Sequence, residues 1–173
     1  IPNFYEFKHN KDVVDNNIVG FAARMETRKC PHFLQGIKSE LTTDPKDVLW
    51  WKRNLDIDTT DWKIYKFNYE FLGKFYERGW GISHSAHIYE PFGYSIFQAI
   101  DYGKLPILAK DWLPKYDYPF RAQSPEEFKE QYETICKLST KERQEYLVPL
   151  RDYLRKFDNK KQWVEELLKL YNE

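Results

Sequence analysis

Short apolar runs alternate with stretches of helical periodicity along most of this chain, and that alternation limits the fold more than any other feature. Asn17-Ile18-Val19-Gly20-Phe21-Ala22-Ala23 is a run of the kind that makes a fully buried strand. Lys63-Ile64-Tyr65-Lys66-Phe67, Trp80-Gly81-Ile82-Ser83 and Leu105-Pro106-Ile107-Leu108 read as three more strands. Between them, Tyr69 to Glu77 and Tyr94 to Tyr102 read as helices, with Gly103 placed where a left-handed cap residue is wanted. Strands separated by helices imply a parallel sheet with right-handed crossovers, an α/β, Rossmann-like layer structure.

The last third reads as helical. Ser124-Pro125-Glu126-Glu127 joins an N-cap serine to a first-turn proline and a capping-box glutamate, and Ser139-Thr140-Lys141-Glu142 repeats the capping box. Pro149 is expected to kink or split the helix that follows. Asn159 is placed to cap a final helix carrying Trp163, Leu167, Leu168 and Tyr171 on one face. Pro31 is expected to open a helix bearing Phe33, Leu34 and Ile37. Residues 40–62 look turn-prone, with Asp44-Pro45, Asp56, Asp58 and Thr59-Thr60, and they leave Trp50 and Trp51 without a place. Residues 1–16 read as a linker, 17–158 as one domain and 159–173 as a separate terminal helix.

Charge narrows the function classes. Lysine plus arginine number 27, as do aspartate plus glutamate, so nothing pushes the whole chain toward nucleic acid or an anionic membrane. Two cysteines, Cys30 and Cys136, make no disulfide framework and have no metal-ligand spacing, which suits a reducing, cytoplasmic setting. No run of about 18 apolar residues is present to predict a transmembrane helix. The start, Ile1-Pro2-Asn3-Phe4-Tyr5, has no methionine and no signal pattern and suggests a piece of a longer protein.

Ligands of open parallel sheets bind beyond the carboxyl ends of the strands. After the first strand come Arg24 and Lys29, and after Trp80–Ser83 comes Glu90-Pro91-Phe92-Gly93-Tyr94-Ser95, whose glycine sits where a helix begins. Free N–H groups and the helix dipole there, with an arginine fork and a lysine point charge alongside, would suit a diphosphate. Glu90 could accept hydrogen bonds from sugar hydroxyls or simply cap the helix, and Arg24 and Lys29 could equally be solvated loop charges. His84 and His87 read as structural or substrate-lining, Cys30 as an idle thiol, and the tryptophans as core before any sugar-stacking platform.

Taken in order, these segments resemble a known group. Arg24-Met25-Glu26-Thr27-Arg28-Lys29 resembles the Arg-x4-Lys segment of retaining GT-B glycosyltransferases, the group of glycogen and sucrose synthases. Glu90-Pro91-Phe92-Gly93-Tyr94-Ser95-Ile96-Phe97-Gln98 is similar to its Glu-x7-Glu motif, and Asp101-Tyr102-Gly103-Lys104-Leu105-Pro106-Ile107-Leu108 to the Ala-x-Gly-x-Pro-Val that follows. Ile1-Pro2-Asn3 looks like the interdomain linker, and Phe157 to Tyr171 like the terminal helix that crosses back. The resemblance implies the C-terminal, donor-binding half of a GT-B fold with an N-terminal domain of its own elsewhere.

It also implies roles. Arg24 and Lys29 would hold and stabilise the leaving diphosphate, and Glu90 would contact the transferred sugar. Phe92, Gly93, Tyr94 and Ser95 would bond sugar and phosphate through the backbone, while Gln98 stands where the group has a ribose-binding glutamate. Ala22-Ala23 departs from the usual glycine. The implied donor is a UDP-, GDP- or ADP-sugar, with no metal and no cofactor, and the acceptor a glycan, a lipid or modified DNA. Val19-Gly20, Trp80-Gly81 and Gly103-Lys104-Leu105-Pro106 also resemble viral α-glucosyltransferases that modify DNA, which would place the protein in a host cytoplasm. A GT-B epimerase or phosphorylase, and a binding module whose site decayed at Gln98, are the rival readings.

Overall fold

The computed structural model describes residues 4–88, 90 and 92–171. Six parallel strands form one sheet in the order β3-β2-β1-β4-β5-β6. They are β1 (Val19–Ala22), β2 (Ser39–Thr43), β3 (Trp62–Lys66), β4 (Ile82–Ser85), β5 (Leu105–Ala109) and β6 (Arg121–Ala122). The helices are α1 (Pro45–Leu55), α2 (Tyr69–Glu77), α3 (Tyr94–Asp101), α4 (Pro125–Cys136), α5 (Thr140–Leu154) and α6 (Lys160–Tyr171). The expected Rossmann-like α/β sheet flanked by helices, with a helical tail, is the architecture observed.

Strand burial follows from sheet position. β4 and β5 have helices on both faces, so every one of their residues is buried, as expected of parallel strands. β2 is also central, yet Ser39, Thr42 and Thr43 fill most of it, with only Leu41 as an aliphatic residue. α1 begins where a turn was expected: Asp44 accepts from the Lys46 N–H at 2.9 Å and Pro45 occupies the first turn. Trp51 is buried on its inner face while Trp50 stays 55% exposed. The helix expected from Pro31 is only a 3₁₀ turn, Pro31–Leu34, because Gln35 turns extended and Gly36 left-handed (φ 70°).

Both capping predictions hold for serine: Ser124 accepts from the Glu127 N–H and Ser139 from the Glu142 N–H. The first box closes differently, with the Glu127 carboxylate accepting from the Gln123 N–H at 2.9 Å. Pro149 does not split α5. It sits on the exposed side, where water can serve the carbonyl it leaves without a donor. Asn159 does not cap α6 with its side chain, whose oxygen has no hydrogen-bond partner, and Leu168 and Tyr171 are 57% and 92% exposed.

Ile1-Pro2-Asn3 lies outside the described residues. Residues 4–16 form no regular element but are tied to the body. The fully buried Asp101 carboxylate accepts from the N–H groups of Lys8, His9 and Asn10 at 3.1, 3.0 and 2.7 Å, and from the Tyr5 hydroxyl at 3.3 Å. Gly103 has φ 77°, and a Cβ there would collide with the Asp12 carbonyl oxygen. Gly103→Ala is therefore expected to cost about 3 kcal/mol, joining left-handed strain to a backbone clash, as urea unfolding would show.

Candidate functional site

The sheet order reverses between β1 and β4. From β1 the chain builds outward through β2 to β3, and from β4 outward through β5 to β6, so the crevice at the carboxyl ends of β1 and β4 is the topological switch point. The loop after β1 holds Arg24 and Lys29. The loop after β4 holds Glu90 and leads into α3.

These two loops are joined at several points. The Lys29 ammonium makes an ion pair with the Glu90 carboxylate, 61 positions away, with side chains only 17% and 16% exposed. Ile88 N–H donates to the Arg28 carbonyl at 2.8 Å. His84 Nε2 stands 2.8 Å from the Cys30 carbonyl and must donate, while its Nδ1 accepts from the Ala86 N–H at 3.3 Å. The carbonyls on both sides of Lys29 are thus held by groups on β4 and its loop. Trp51 adds a third anchor, its Nε1 donating to the Met25 carbonyl at 2.8 Å. Cys30 is completely buried at φ 52°, a structural residue with its thiol pushed up by burial.

Arg24 is different. Its side chain is 82% exposed and lies 3.7 Å from Glu26, which also accepts from Arg28 at 2.7 Å. It borders a hollow of 420 Å³ that Thr43, Asp44, Asp47, Phe67 and Tyr69 share, at the ends of β1 to β3. Gly93 adopts φ 76° at the start of α3, and no side chain caps that helix. A Cβ there would stand 2.7 Å from Ile96 Cδ1, so glycine is needed for both conformation and space. Phe92 is stacked on Phe97 at 4.6 Å, Tyr94 is half exposed, and the Ser95 carbonyl accepts from the Tyr76 hydroxyl at 3.3 Å.

Lys29, Glu90 and the Gly93 turn are therefore brought together, with Arg24 on the same loop as Lys29. Gln98 is not in that cluster. It lines a separate 480 Å³ hollow with Tyr76, Tyr94, Asp101 and Tyr102. Pro91 lies outside the described residues. The stance of His87 is not legible in the sequence: its ring is 1% exposed, with Nδ1 at 3.6 Å from Glu90 Oε2. Its position three residues before Glu90 was the only available signal.

The site's titration follows from burial. The His87 ring and the Lys29 ammonium hold the Glu90 carboxyl down at about 2, so it is an anion at any physiological pH. Burial pushes the His84 imidazole down to about 3, with His87 opposing its charge as well, and burial likewise lowers His87. Both rings are neutral.

In an unfolded chain His84 would titrate near 6.5 and Glu90 near 4.5. Between 6.5 and 3 the unfolded chain takes up a proton that folded His84 refuses, so stability falls as pH falls, with a slope approaching about 1.4 kcal/mol per pH unit for that ring. His87 acts in the same sense. Glu90 adds a further loss as pH drops from 4.5 toward 2, where its paired carboxylate is finally protonated. Urea unfolding from pH 7 to 5 checks the histidine contribution, and flat stability across that interval would contradict buried neutral rings.

Among the described residues no group of three or more His, Cys, Asp or Glu could hold a metal ion, and no helix is long and apolar enough to cross a membrane.

No protein-family profile matches the chain, and none of the curated proteins does. A solved structure does, the crystal structure of TarM, over 98% of this chain and 38% of TarM's own chain, with a TM-score of 0.66 and 13% identity. In fold, the chain is similar to TarM. The open six-stranded parallel sheet with its C-terminal helix thus has a GT-B-like neighbour, of which it spans the lesser part.

Proposed function

We propose that this chain is the donor-binding part of a retaining glycosyltransferase that takes a nucleoside diphosphate sugar and passes the sugar to an acceptor held largely on another domain. The observation that carries the reading is the meeting of Lys29 with Glu90 at the switch point, beside the uncapped start of α3. The fold's likeness to TarM, a glycosyltransferase, supports it.

Each group has a task in that reaction. As the bond from sugar to diphosphate breaks, negative charge grows on the leaving phosphate oxygens. Lys29, Arg24 and the free N–H groups at the start of α3 would meet that charge, favouring the transition state over bound substrate. The exposed Arg24 has room to swing onto a phosphate and close a two-oxygen fork. Glu90 stays ionised and so acts as a hydrogen-bond acceptor for sugar hydroxyls rather than as a proton donor. The mechanism asks for no metal, because the cations and the helix end do the electrostatic work. The hollow at the ends of β1 to β3, with Phe67 and Tyr69 on its wall, is the place proposed for the nucleoside. Gln98, which the resemblance pairs with the ribose, lines a separate hollow and has no part in this placement.

Calorimetric titration with UDP, GDP and ADP tests the reading. One of them is expected to bind with a submillimolar dissociation constant, about −5 kcal/mol. No heat from any of the three at millimolar concentration would remove the donor site.

A further inference from the structure

His87 is the buried group for which the fold offers no explanation. Its ring lies edge-on to Phe21 at 6.2 Å and 5.6 Å from the His84 ring, in surroundings an apolar side chain would fill as well. Both ring nitrogens are buried without a hydrogen-bond partner among the described residues. A buried polar group without a partner is destabilising unless it finds one. His84, by comparison, uses both of its nitrogens.

The unpaired Nδ1 faces the Glu90 carboxylate at 3.6 Å. A movement under about 1 Å would turn that approach into a hydrogen bond. In the empty site the movement is unnecessary, because Lys29 already satisfies Glu90. The donor reading changes this. Lys29 cannot serve a diphosphate fully while it is bound to Glu90, and a carboxylate that loses its cation in a half-enclosed site needs another donor. The charged and titratable groups around the pair are Lys29 and Arg28 on the loop after β1 and His84 on β4. Of these, His84 has both nitrogens engaged and the two cations lie on the phosphate-facing loop.

We propose that His87 is a positioning residue that takes hold of Glu90 through its Nδ1–H when Lys29 turns to the diphosphate, keeping the carboxylate ionised and aimed at the sugar. This rests on the donor-site reading for its occasion, but removal of Lys29 leaves Glu90 to the same grip, which can then be measured without a ligand.

The first test uses ligand-free protein. Carbon-13 NMR of the glutamate carboxyls, with Glu90 assigned from Glu90→Gln, follows its titration in Lys29→Ala and in Lys29→Ala/His87→Phe. His87 alone is expected to keep the Glu90 midpoint below 4.5 in the single variant, and the double variant to carry it above 4.5. His87→Gln, which retains a donor, should restore the low midpoint. Equal midpoints with and without His87 overturn the proposal. Should His87→Phe not fold, His87→Leu replaces it in the same comparison.

The second test adds whichever UDP-, GDP- or ADP-hexose binds the unaltered protein. Each of its phosphates has one ester and one anhydride bond and a single strongly acidic oxygen, so its charge is constant from pH 5 to 8 and any pH dependence comes from the protein. In His87→Phe, Glu90 is left alone on binding and gains a proton. Affinity should be about tenfold weaker at pH 7.5 and recover as pH falls toward 5. Affinity equal to that of the unaltered protein at every pH overturns the handover. If no nucleotide sugar binds either protein, the donor reading is lost with the handover, while the ligand-free titration still decides whether His87 holds Glu90.

Discussion

Lys29→Ala is expected to weaken nucleoside diphosphate binding by about thirty- to a hundredfold and to destabilise the fold as well. Lys29 is the one proposed phosphate ligand that is also enclosed, with a side chain only 17% exposed against a partner 16% exposed. Its removal takes a charge-assisted contact from the diphosphate, worth about 2–3 kcal/mol. The same change leaves Glu90 without its cation, so a ligand-free loss of about 1–2 kcal/mol should accompany it. Arg24→Ala separates the two effects. Its side chain is 82% exposed with only a long contact to Glu26, so stability should be unchanged within about 0.5 kcal/mol while binding falls. Calorimetry and urea unfolding of both variants check the pair. Unchanged binding in Lys29→Ala would make the ion pair a purely structural one.

Arg121→Ala should be the most destabilising single change outside the site. Its guanidinium donates to the carbonyls of Tyr118, Ala109, Trp112, Leu113 and Tyr116 at 3.1, 3.0, 2.6, 3.0 and 2.9 Å. No carboxylate among the described residues forms an ion pair with it; the five oxygens serve in place of a counterion, and together they fold the segment from β5 to β6 around one side chain. Removing it strands those carbonyls in a partly buried loop and should cost about 4 kcal/mol. For a chain of this size that lowers the melting temperature by about 10 °C. Arg121→Lys keeps the charge but has three donors instead of a five-donor fork, so it should recover less than half of the loss. A melting shift of under 3 °C in Arg121→Ala would show that the loop is held by other contacts.

What sequence could reveal follows from where each signal resides. β1 and β5 are legible because strands covered on both faces are apolar throughout, whereas β4 shows only its start in Trp80-Gly81-Ile82 and runs on through the buried polar Ser83, His84 and Ser85. β2 is not legible, because Ser39, Thr42 and Thr43 stand in for aliphatic residues in a buried strand. α1 was hidden by its own start signal: Asp44-Pro45 reads as a turn until the following residues are known to be helical. β6 has only two residues, Arg121 and Ala122, and depends on the loop that Arg121 gathers. Arg24, Lys29, Glu90 and Gly93 could be found because their types at two strand ends carry a chemical meaning. That Lys29 closes directly on Glu90 could not, since the contact spans 61 positions and depends on β1 lying beside β4. The sequence marks His87 only as structural or substrate-lining, and burial with two nitrogens unpaired among the described residues sets it apart from His84.

Backbone amide NMR during addition of the best-binding nucleoside diphosphate measures directly where a pyrophosphate would sit. The largest shifts are expected from Arg24 to Cys30 and from Phe92 to Ser95, the two loops that flank the reversal of the sheet. Shifts confined to the groove between Val13 and α5, with those two loops silent, would contradict the account.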